Sequence, residues 1–241
     1  MVHPPSILAL EEHALEAWPA LEAVRFGGWS FRFAEGYTKR ANSASALAPD
    51  RPFAEIHREA LRRYAERGLP PIFRIGPLAG PEPDGTLDAL GYRALRRTLV
   101  LTAPVPDVPA DAAVRIAPVP DGGWLNVHDP GRPADRDLHA RILAATELPA
   151  AHATLLEDGQ PVAFGRIVAG RGLAGLFSVL TLPRARGRGA GRRVVEALLG
   201  WAHGQGARTA YLQVEADNAP ALALYRRLGF TETYGYHYRL P

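Results

Sequence analysis

The sequence contains no cysteine, which excludes disulfides, a thiolate nucleophile with its acyl intermediate, and a Cys-type zinc site. Metal is not expected. Lysine is almost missing as well: Lys39 is the only one in 241 residues, so the basic side chains are nearly all arginines. With Lys39 far from any glycine-rich turn, the Gly-x4-Gly-Lys-Ser/Thr loop of P-loop nucleotide sites is excluded. No apolar run approaches the ~18 residues of a membrane span. Met1–Ala20 lacks the basic start and unbroken apolar core of a secretory signal. The expectation is a cytoplasmic protein with no membrane partner. The net charge is only +3, compatible with solvated arginine faces or with attraction to an anionic ligand. Hydrophobic residues make up 47%, ample for a core at this length, which allows one large domain or two small ones.

What is present centres on residues 173–203. Leu173–Leu182 reads as a buried strand, Pro183 stops it, and Arg186-Gly187-Arg188-Gly189-Ala190-Gly191 leads into a helical run from Arg192 to His203. A strand feeding a glycine-rich turn that opens a helix is a phosphate cradle. Its amides converge, the helix dipole favours an anion, and glycines let the backbone approach the ligand. A dinucleotide fingerprint needs glycine at its sixth position, where Arg192 stands. Arg186, Gly189 and Gly191 fit Arg/Gln-x-x-Gly-x-Gly/Ala instead.

That pattern resembles the pyrophosphate loop of the GNAT superfamily of N-acyltransferases. A second stretch strengthens the resemblance: Asn218, six residues, Tyr225, three residues, Gly229-Phe230. The resemblance covers Ala113–Leu240 and implies acetyl-CoA as co-substrate, bound where the parallel strands Leu173–Leu182 and Thr209–Glu215 splay apart. On that reading the amides of Gly187, Arg188, Gly189, Ala190, Gly191 and Arg192 hold the pyrophosphate, with Arg186, Arg188, Arg192 or Arg193 adding charge. Backbone groups of Val179, Leu180 and Thr181 pair with the pantetheine as a pseudo-strand. An amide near Leu180 or Thr181 stabilises the oxyanion. Asn218 is an N-cap that also touches pantetheine, and the Tyr225 hydroxyl protonates the departing thiolate. Some family members carry a glutamate base at the position of Gln213, and glutamine cannot accept a proton. Glu215 is the carboxylate assigned that role, with Asp217, His203 and His237 as further candidates.

The amino half repeats the pattern. At an offset of 138 residues, Leu90-Gly91-Tyr92 matches Leu228-Gly229-Phe230, Gly68 matches Gly206, helix Ala54–Ala65 matches Arg192–His203, and strand Ile72–Ile75 matches Ala210–Gln213. The expected fold is α/β, an α+β arrangement with a mixed sheet, built as two tandem GNAT-like domains. They span 1–103 and 113–241, joined by a Pro-rich linker over 104–112. In the first copy the cradle position, Ala48–Phe53, has no glycine, and Leu87 replaces Tyr225, so that copy is expected to be inactive. Further expected elements are a helix over Leu8–Val24, strands over Trp29–Ala34, Tyr37–Ser45 and Tyr92–Leu101, and a hairpin turned at Glu157–Gln160. Trp29–Ser43, rich in polar and aromatic groups, is either a solvated hairpin or a substrate-facing one.

The function expected is transfer of an acetyl group to a small-molecule or peptide amine by direct attack in a ternary complex, by a monomer or homodimer. Two other classes differ from it. A non-catalytic acetyl-CoA sensor or scaffold needs the cradle but not Tyr225. A nucleic-acid binder would use the arginines alone, and nucleic acid is not the expected partner.

Overall fold

The computed structural model describes residues 4–241; of the stretch Met1–Ala20, the first three residues lie outside it. Helix α1 (Ile7–Ala17) is capped by the Ser6 side chain and ends before Pro19, because the residue preceding a proline resists the helical conformation. The single helix expected over Leu8–Val24 is therefore a helix plus an edge strand, β1 (Glu22–Phe26). A Gly27-Gly28 turn leads into β2 (Trp29–Phe33). The strand expected over Tyr37–Ser45 is mostly a capped turn. Thr38 caps a short 3-10 turn at Lys39–Ala41, Asn42 Oδ1 accepts from the amides of Ala34 and Gly36, and only β3 (Ala44–Ala46) is extended. Side chains that satisfy local amides compete with strand pairing.

Helix α2 (Phe53–Ala65), β4 (Phe73–Ile75) and α3 (Glu82–Ala89) follow. The strand expected over Tyr92–Leu101 is split into β5 (Arg93–Ala94) and β6 (Thr98–Pro104). The second half contributes β7 (Val114–Ala117), α4 (Gly122–His128), α5 (Pro133–Ala144), β8 (Ala150–Glu157), β9 (Gln160–Gly170) and β10 (Leu173–Thr181). It ends with α6 (Ala190–Gly204), β11 (Thr209–Glu215), α7 (Ala219–Arg227) and β12 (Thr231–Leu240). Asp158 and Gly159 both have positive φ, the geometry of a tight two-residue hairpin turn between β8 and β9.

The strands form one mixed sheet in the order β1-β2-β3-β4-β12-β6-β11-β10-β9-β8-β7, with β5 beside β12. Its centre is a reciprocal exchange. β6, from the first half, runs antiparallel along all of β11, while the end of β12, from the second half, runs antiparallel to β4. β6 and β12 pair with each other between them. Helices α6 and α7 cover one face of the second half over a core that includes Leu176, Val194, Leu198, Leu212 and Tyr225. Helices α1, α4 and α5 cover the other, over Trp18, Phe164, Phe177, Tyr211 and Tyr236. A third core, around Trp29, Phe53, Ile56 and Phe73, belongs to the first half. The last strand of each half, β6 and β12, therefore pairs with the other half, and the two copies make one sheet.

The offset of 138 residues recurs in the hydrogen bonds. After α3, the amides of Leu90, Gly91 and Tyr92 donate to Thr86, Asp88 and Leu87; after α7, those of Leu228, Gly229 and Phe230 donate to Leu224, Arg226 and Tyr225. After α2, Gly68 and Leu69 donate to Ala65 and Tyr64; after α6, Gly206 and Ala207 donate to His203 and Ala202. Gly91 and Gly229 have φ of 82° and 83°, the left-handed helix stop that glycine adopts at least cost.

Candidate active site

The site is built where β10 and β11 part. They pair in parallel from Leu173↔Thr209 to Leu176↔Leu212 and no further. Beyond that point β11 continues along β6 and β10 along β9. The cause is a bulge: the β10–β9 register shifts between Phe177 and Leu180, and Ser178 takes a positive φ of 52°. A bulge adds a residue to one strand and re-aims it. The edge of β10 from Phe177 to Thr181 is thereby left facing the opening without a partner on β11, and it includes Val179, Leu180 and Thr181.

The loop after β10 is set for an anion. The Arg186 amide donates to Pro183 and the Arg193 amide to Gly189; among the described residues no amide between them has a backbone partner. Those six amides belong to Gly187, Arg188, Gly189, Ala190, Gly191 and Arg192. Gly187 and Gly189 have φ of 74° and 82°, and a Cβ on either would meet nothing within 4 Å, so the backbone is open to a ligand. Gly191 is needed for a different reason: its Cβ would sit 3.0 Å from Thr181 Oγ1, and the helix start packs against the strand end there. No side chain caps α6. Arg186 Nε donates to the Thr181 carbonyl at 3.2 Å and has no carboxylate partner among the described residues. Arg188, Arg192 and Arg193 are paired with Glu157, Glu196 and Asp111.

On the far side of the notch, Asn218 caps α7, accepting from the Ala221 amide at 3.2 Å. Tyr225 follows two turns on, 8% exposed and edge-on to Phe230. Burial pushes its phenol up to about 12, so the hydroxyl keeps its proton at neutral pH. Glu215 is exposed at the end of β11, on the same face as Tyr211 and Gln213 by strand alternation. Gln213 Oε1 accepts from the Tyr236 hydroxyl at 2.9 Å. Asp217 is taken by Arg96 and His237 by Asp84. His203 lies at the far end of α6, ~20 Å from its start at 1.5 Å per residue. Of the base candidates, Glu215 alone has no charged partner among the described residues; Asp217, His203 and His237 face Arg96, Asp107 and Asp84.

The structure also brings in residues that sequence reasoning did not single out. His128, at the end of α4, places Nε2 2.8 Å from the carbonyl of Ser178, the bulge residue, and Nδ1 2.9 Å from its own helix at Trp124. Asp129 accepts from the Tyr37 hydroxyl at 2.6 Å and lies 2.5 Å from His139 Nδ1. Tyr37 and Asp129 join the two halves, which ties part of the Trp29–Ser43 stretch to the cleft side of the sheet. Arg166 is an isolated charge in the otherwise apolar run Val162–Val168; an inward-facing arginine in a buried strand is a signal that the sequence did carry.

A parallel pair splayed at a bulge, an amide-lined helix start at its mouth and a buried tyrosine on the opposite helix define the fold class of the acyl-CoA N-acyltransferases. Comparison with known proteins agrees. A family model described as "Probable histone acetyltransferase Rv0428c C-terminal" matches residues 5–239. The chain belongs to this family of GNAT N-acetyltransferases and is an acetyltransferase. It is 28% identical to the "Uncharacterized N-acetyltransferase YobR" of Bacillus subtilis over 97% of this chain and 98% of that one. It is 31% identical to the "Probable histone acetyltransferase Rv0428c" of Mycobacterium tuberculosis over 95% and 72%. A mycothiol acetyltransferase of Streptomyces coelicolor matches 57% of this chain and 49% of its own at 34% identity. Among solved structures, a GCN5-related N-acetyltransferase from Kribbella flavida superposes with a TM-score of 0.70 at 20% identity, covering 98% and 94%. A tandem GNAT protein from the clavulanic acid biosynthesis pathway superposes at 0.64 and 16%, covering 100% and 89%. The tandem, mixed-sheet architecture is thus shared. No helix among the described residues is long and apolar enough to cross a membrane, and no group of three or more potential metal ligands occurs there.

Proposed function

We propose that the chain transfers an acetyl group from acetyl-CoA to an amine within a ternary complex, with the chemistry carried by the half spanning 113–241. The segment 104–112 is the link between the halves. The observation that carries the reading is the coincidence of six unpartnered amides at the start of α6 with the splayed edge of β10 and a protonated, buried Tyr225. The amides of Gly187–Arg192 hold the pyrophosphate, with Arg186 as the uncommitted cation. Backbone groups of Val179, Leu180 and Thr181 take the pantetheine amides, and Asn218 steadies the same arm.

The amine nitrogen attacks the thioester carbonyl. A C–N bond forms, and the electron pair moves to an oxyanion held by a backbone amide near Leu180 or Thr181. Collapse breaks the C–S bond, Tyr225 gives its proton to sulfur, and the amine's surplus proton leaves through water to Glu215. A panel of primary amines assayed for CoA thiol release, after thermal-shift titration with acetyl-CoA, tests this. Stabilisation by acetyl-CoA and turnover with at least one amine are expected; an unshifted melting temperature would falsify the cofactor assignment. Intact Tyr225 favours catalysis over a sensor, which needs no proton donor. The acceptor is a small-molecule or peptide amine met in the cytoplasm.

A further inference from the structure

The cleft face opposite α6 holds an excess of buried positive charge. Arg166, on β9, is 0% exposed; its Nη1 donates to the Ala17 carbonyl at 2.8 Å, while Nε and Nη2 have no partner. Arg40, on the turn at Lys39–Ala41, also has a buried Nε without a partner. The two guanidiniums address the same pair of rings. Arg40 Cζ lies 5.3 Å from the Trp18 ring and 5.6 Å from Phe177; Arg166 Cζ lies 6.0 Å and 5.7 Å from them. Nearby carboxylates are committed elsewhere: Glu11 to Arg74 and the Tyr234 hydroxyl, Asp129 to His139 and Tyr37. Arg32 is also buried but satisfied, donating to the carbonyls of Leu15, Trp18 and Arg40. It fixes the positions of Trp18 and Arg40 and neutralises nothing.

A buried guanidinium stays charged, and an unpaired buried charge is among the costliest features a fold can carry. The half-buried Arg40 guanidinium over the same aromatic rings adds like-charge repulsion. Burial pushes Arg166 down to about 10, with Arg40 adding to the effect. Aromatic faces relieve part of that cost, but three buried guanidinium nitrogens, Nε and Nη2 of Arg166 and Nε of Arg40, remain without a partner. Their place decides what they serve. Phe177 pairs with Arg166 across β9–β10 and immediately precedes the bulge at Ser178, where the notch opens. The charge therefore sits on the acceptor side, a few residues along β10 from the thioester position.

Resting on the acyl-transfer reading above, we infer that Arg40 and Arg166 form a carboxylate-binding pocket that selects acceptors bearing both an amine and a carboxylate, of amino-acid size. The planar guanidinium fork matches a carboxylate in two-point geometry. Trp18 and Phe177 supply the dry walls that strengthen it.

The test uses the full chain saturated with CoA, which occupies the phosphate cradle. N-acetylglycine and N-acetylglycinamide, product-like ligands differing only in the carboxylate, are titrated with tryptophan fluorescence and calorimetry as readouts. The carboxylate is expected to bind at least about tenfold more tightly than the amide. In Arg40→Met, with its side chain half-buried and its fold checked by circular dichroism, that ratio falls to near one while CoA affinity holds. Arg40→Lys keeps part of it. Equal binding of the two ligands, absence of binding by both, or an unchanged ratio in Arg40→Met overturns the inference. Tighter binding of inorganic phosphate than of N-acetylglycine overturns the carboxylate assignment in favour of a phosphoryl group. Failure of CoA itself to bind is a separate result and sinks the acyl-transfer reading; the ligand pair, titrated without CoA, then still decides the fate of the anion pocket.

Discussion

The two halves end their first parallel strand in a loop before a helix, and the two loops differ in what their amides do. In the first half, the amides of Leu47 and Ala48 donate to the Gly28 carbonyl and that of Asp50 to Gly27. The loop is folded down onto the β1–β2 turn so closely that a Cβ on Gly28 would overlap the Ala48 carbonyl. In the second half, the amides from Gly187 to Arg192 donate to no backbone group among the described residues. The same chain geometry is closed internally in one copy and left open in the other. Glycine is present in both places, on the hairpin that receives the closed loop and within the open loop itself. A duplicated fold can thus convert a binding loop into a packing contact by replacing amides with proline, as at Pro49 and Pro52, and by satisfying another, that of Asp50, from within. The converted half is free to supply α1, Arg32 and Arg40 to its partner's cleft.

The sharpest break of the comparison lies at Tyr225 and its counterpart Leu87, both buried one turn before a glycine helix stop. Tyr225→Phe removes the proposed proton donor but preserves the ring against Phe230. Turnover is expected to fall by about 10²–10⁴-fold with CoA affinity unchanged. Leu87→Tyr is expected to restore no activity to the first half, because the matching loop has prolines, which carry no N–H, at Pro49 and Pro52, and its Asp50 amide donates to Gly27. Steady-state kinetics with calorimetric CoA titration check both; normal turnover in Tyr225→Phe would remove the mechanistic difference between the copies.

Next in size is the cost of reopening the closed loop. Gly28→Ala places a methyl against the Ala48 carbonyl at a φ of 72°. It is expected to cost about 2–4 kcal/mol in urea unfolding. Gly189→Ala, with free space around its Cβ and a φ of 82°, is expected to cost only about 1–2 kcal/mol but to weaken acetyl-CoA binding. Equal stability losses with unaltered cofactor affinity would mean that the two glycines do the same job.

Acid tests the seam between the halves at His13 and the interior of the second half at His152. His13, on α1, is held neutral by burial, with Nδ1 2.8 Å from the Tyr211 hydroxyl of β11; burial lowers its pKa to about 4. His152, on β8, is lowered to about 4 by burial and by Arg166. Each binds its proton more weakly folded than unfolded. Their stabilisation is therefore full above the ordinary value near 6.5 and is lost as the pH falls toward 4. Between pH 7 and pH 5 the loss is on the order of 1–2 kcal/mol per histidine. Urea titrations at the two pH values measure it. A pH-independent midpoint would show that neither imidazole is held neutral.

The half that keeps its ligand-facing loop was the more legible in sequence, for a physical reason. Gly187, Gly189 and Gly191, and likewise Asn218 and Tyr225, sit at short fixed spacings, as contact with the one cofactor proposed above would require, so strand, loop and helix can be read together. Strands Val114–Ala117 and Thr209–Glu215 emerge at their expected limits. Leu8–Val24 and Tyr37–Ser45 misled because short-range rules dominate there: Pro19 ends the helix, and the Asn42 side chain replaces strand pairing with amide capping. The exchange of β6 and β12 could not be read from pattern. An alternating strand records which face is buried but not which neighbour it meets. The cleft residues Arg40, Arg166, His128 and Asp129 come from three separate elements (the turn at Lys39–Ala41, β9, and α4 with its cap), and their meeting is a property of the fold.

The smallest effect is the most discriminating. At the offset of 138, Asn218 corresponds to Gly80, and α3 begins without any side-chain cap, whereas α7 has the Asn218 carbonyl on the Ala221 amide. If Asn218 only caps, Asn218→Gly makes the second half resemble the first at a cost of a few tenths of a kcal/mol, since glycine is itself a tolerated N-cap. If it also steadies the pantetheine arm, the same change raises KM for acetyl-CoA severalfold while leaving the melting temperature within about 1–2 °C. The second outcome is expected, because Asn218 follows directly from the end of β11 at the open side of the notch, where a cofactor strand lying against Val179–Thr181 would pass. Calorimetry of acetyl-CoA binding beside a thermal melt separates the two, and an unchanged affinity would reduce Asn218 to the cap that the first half does without.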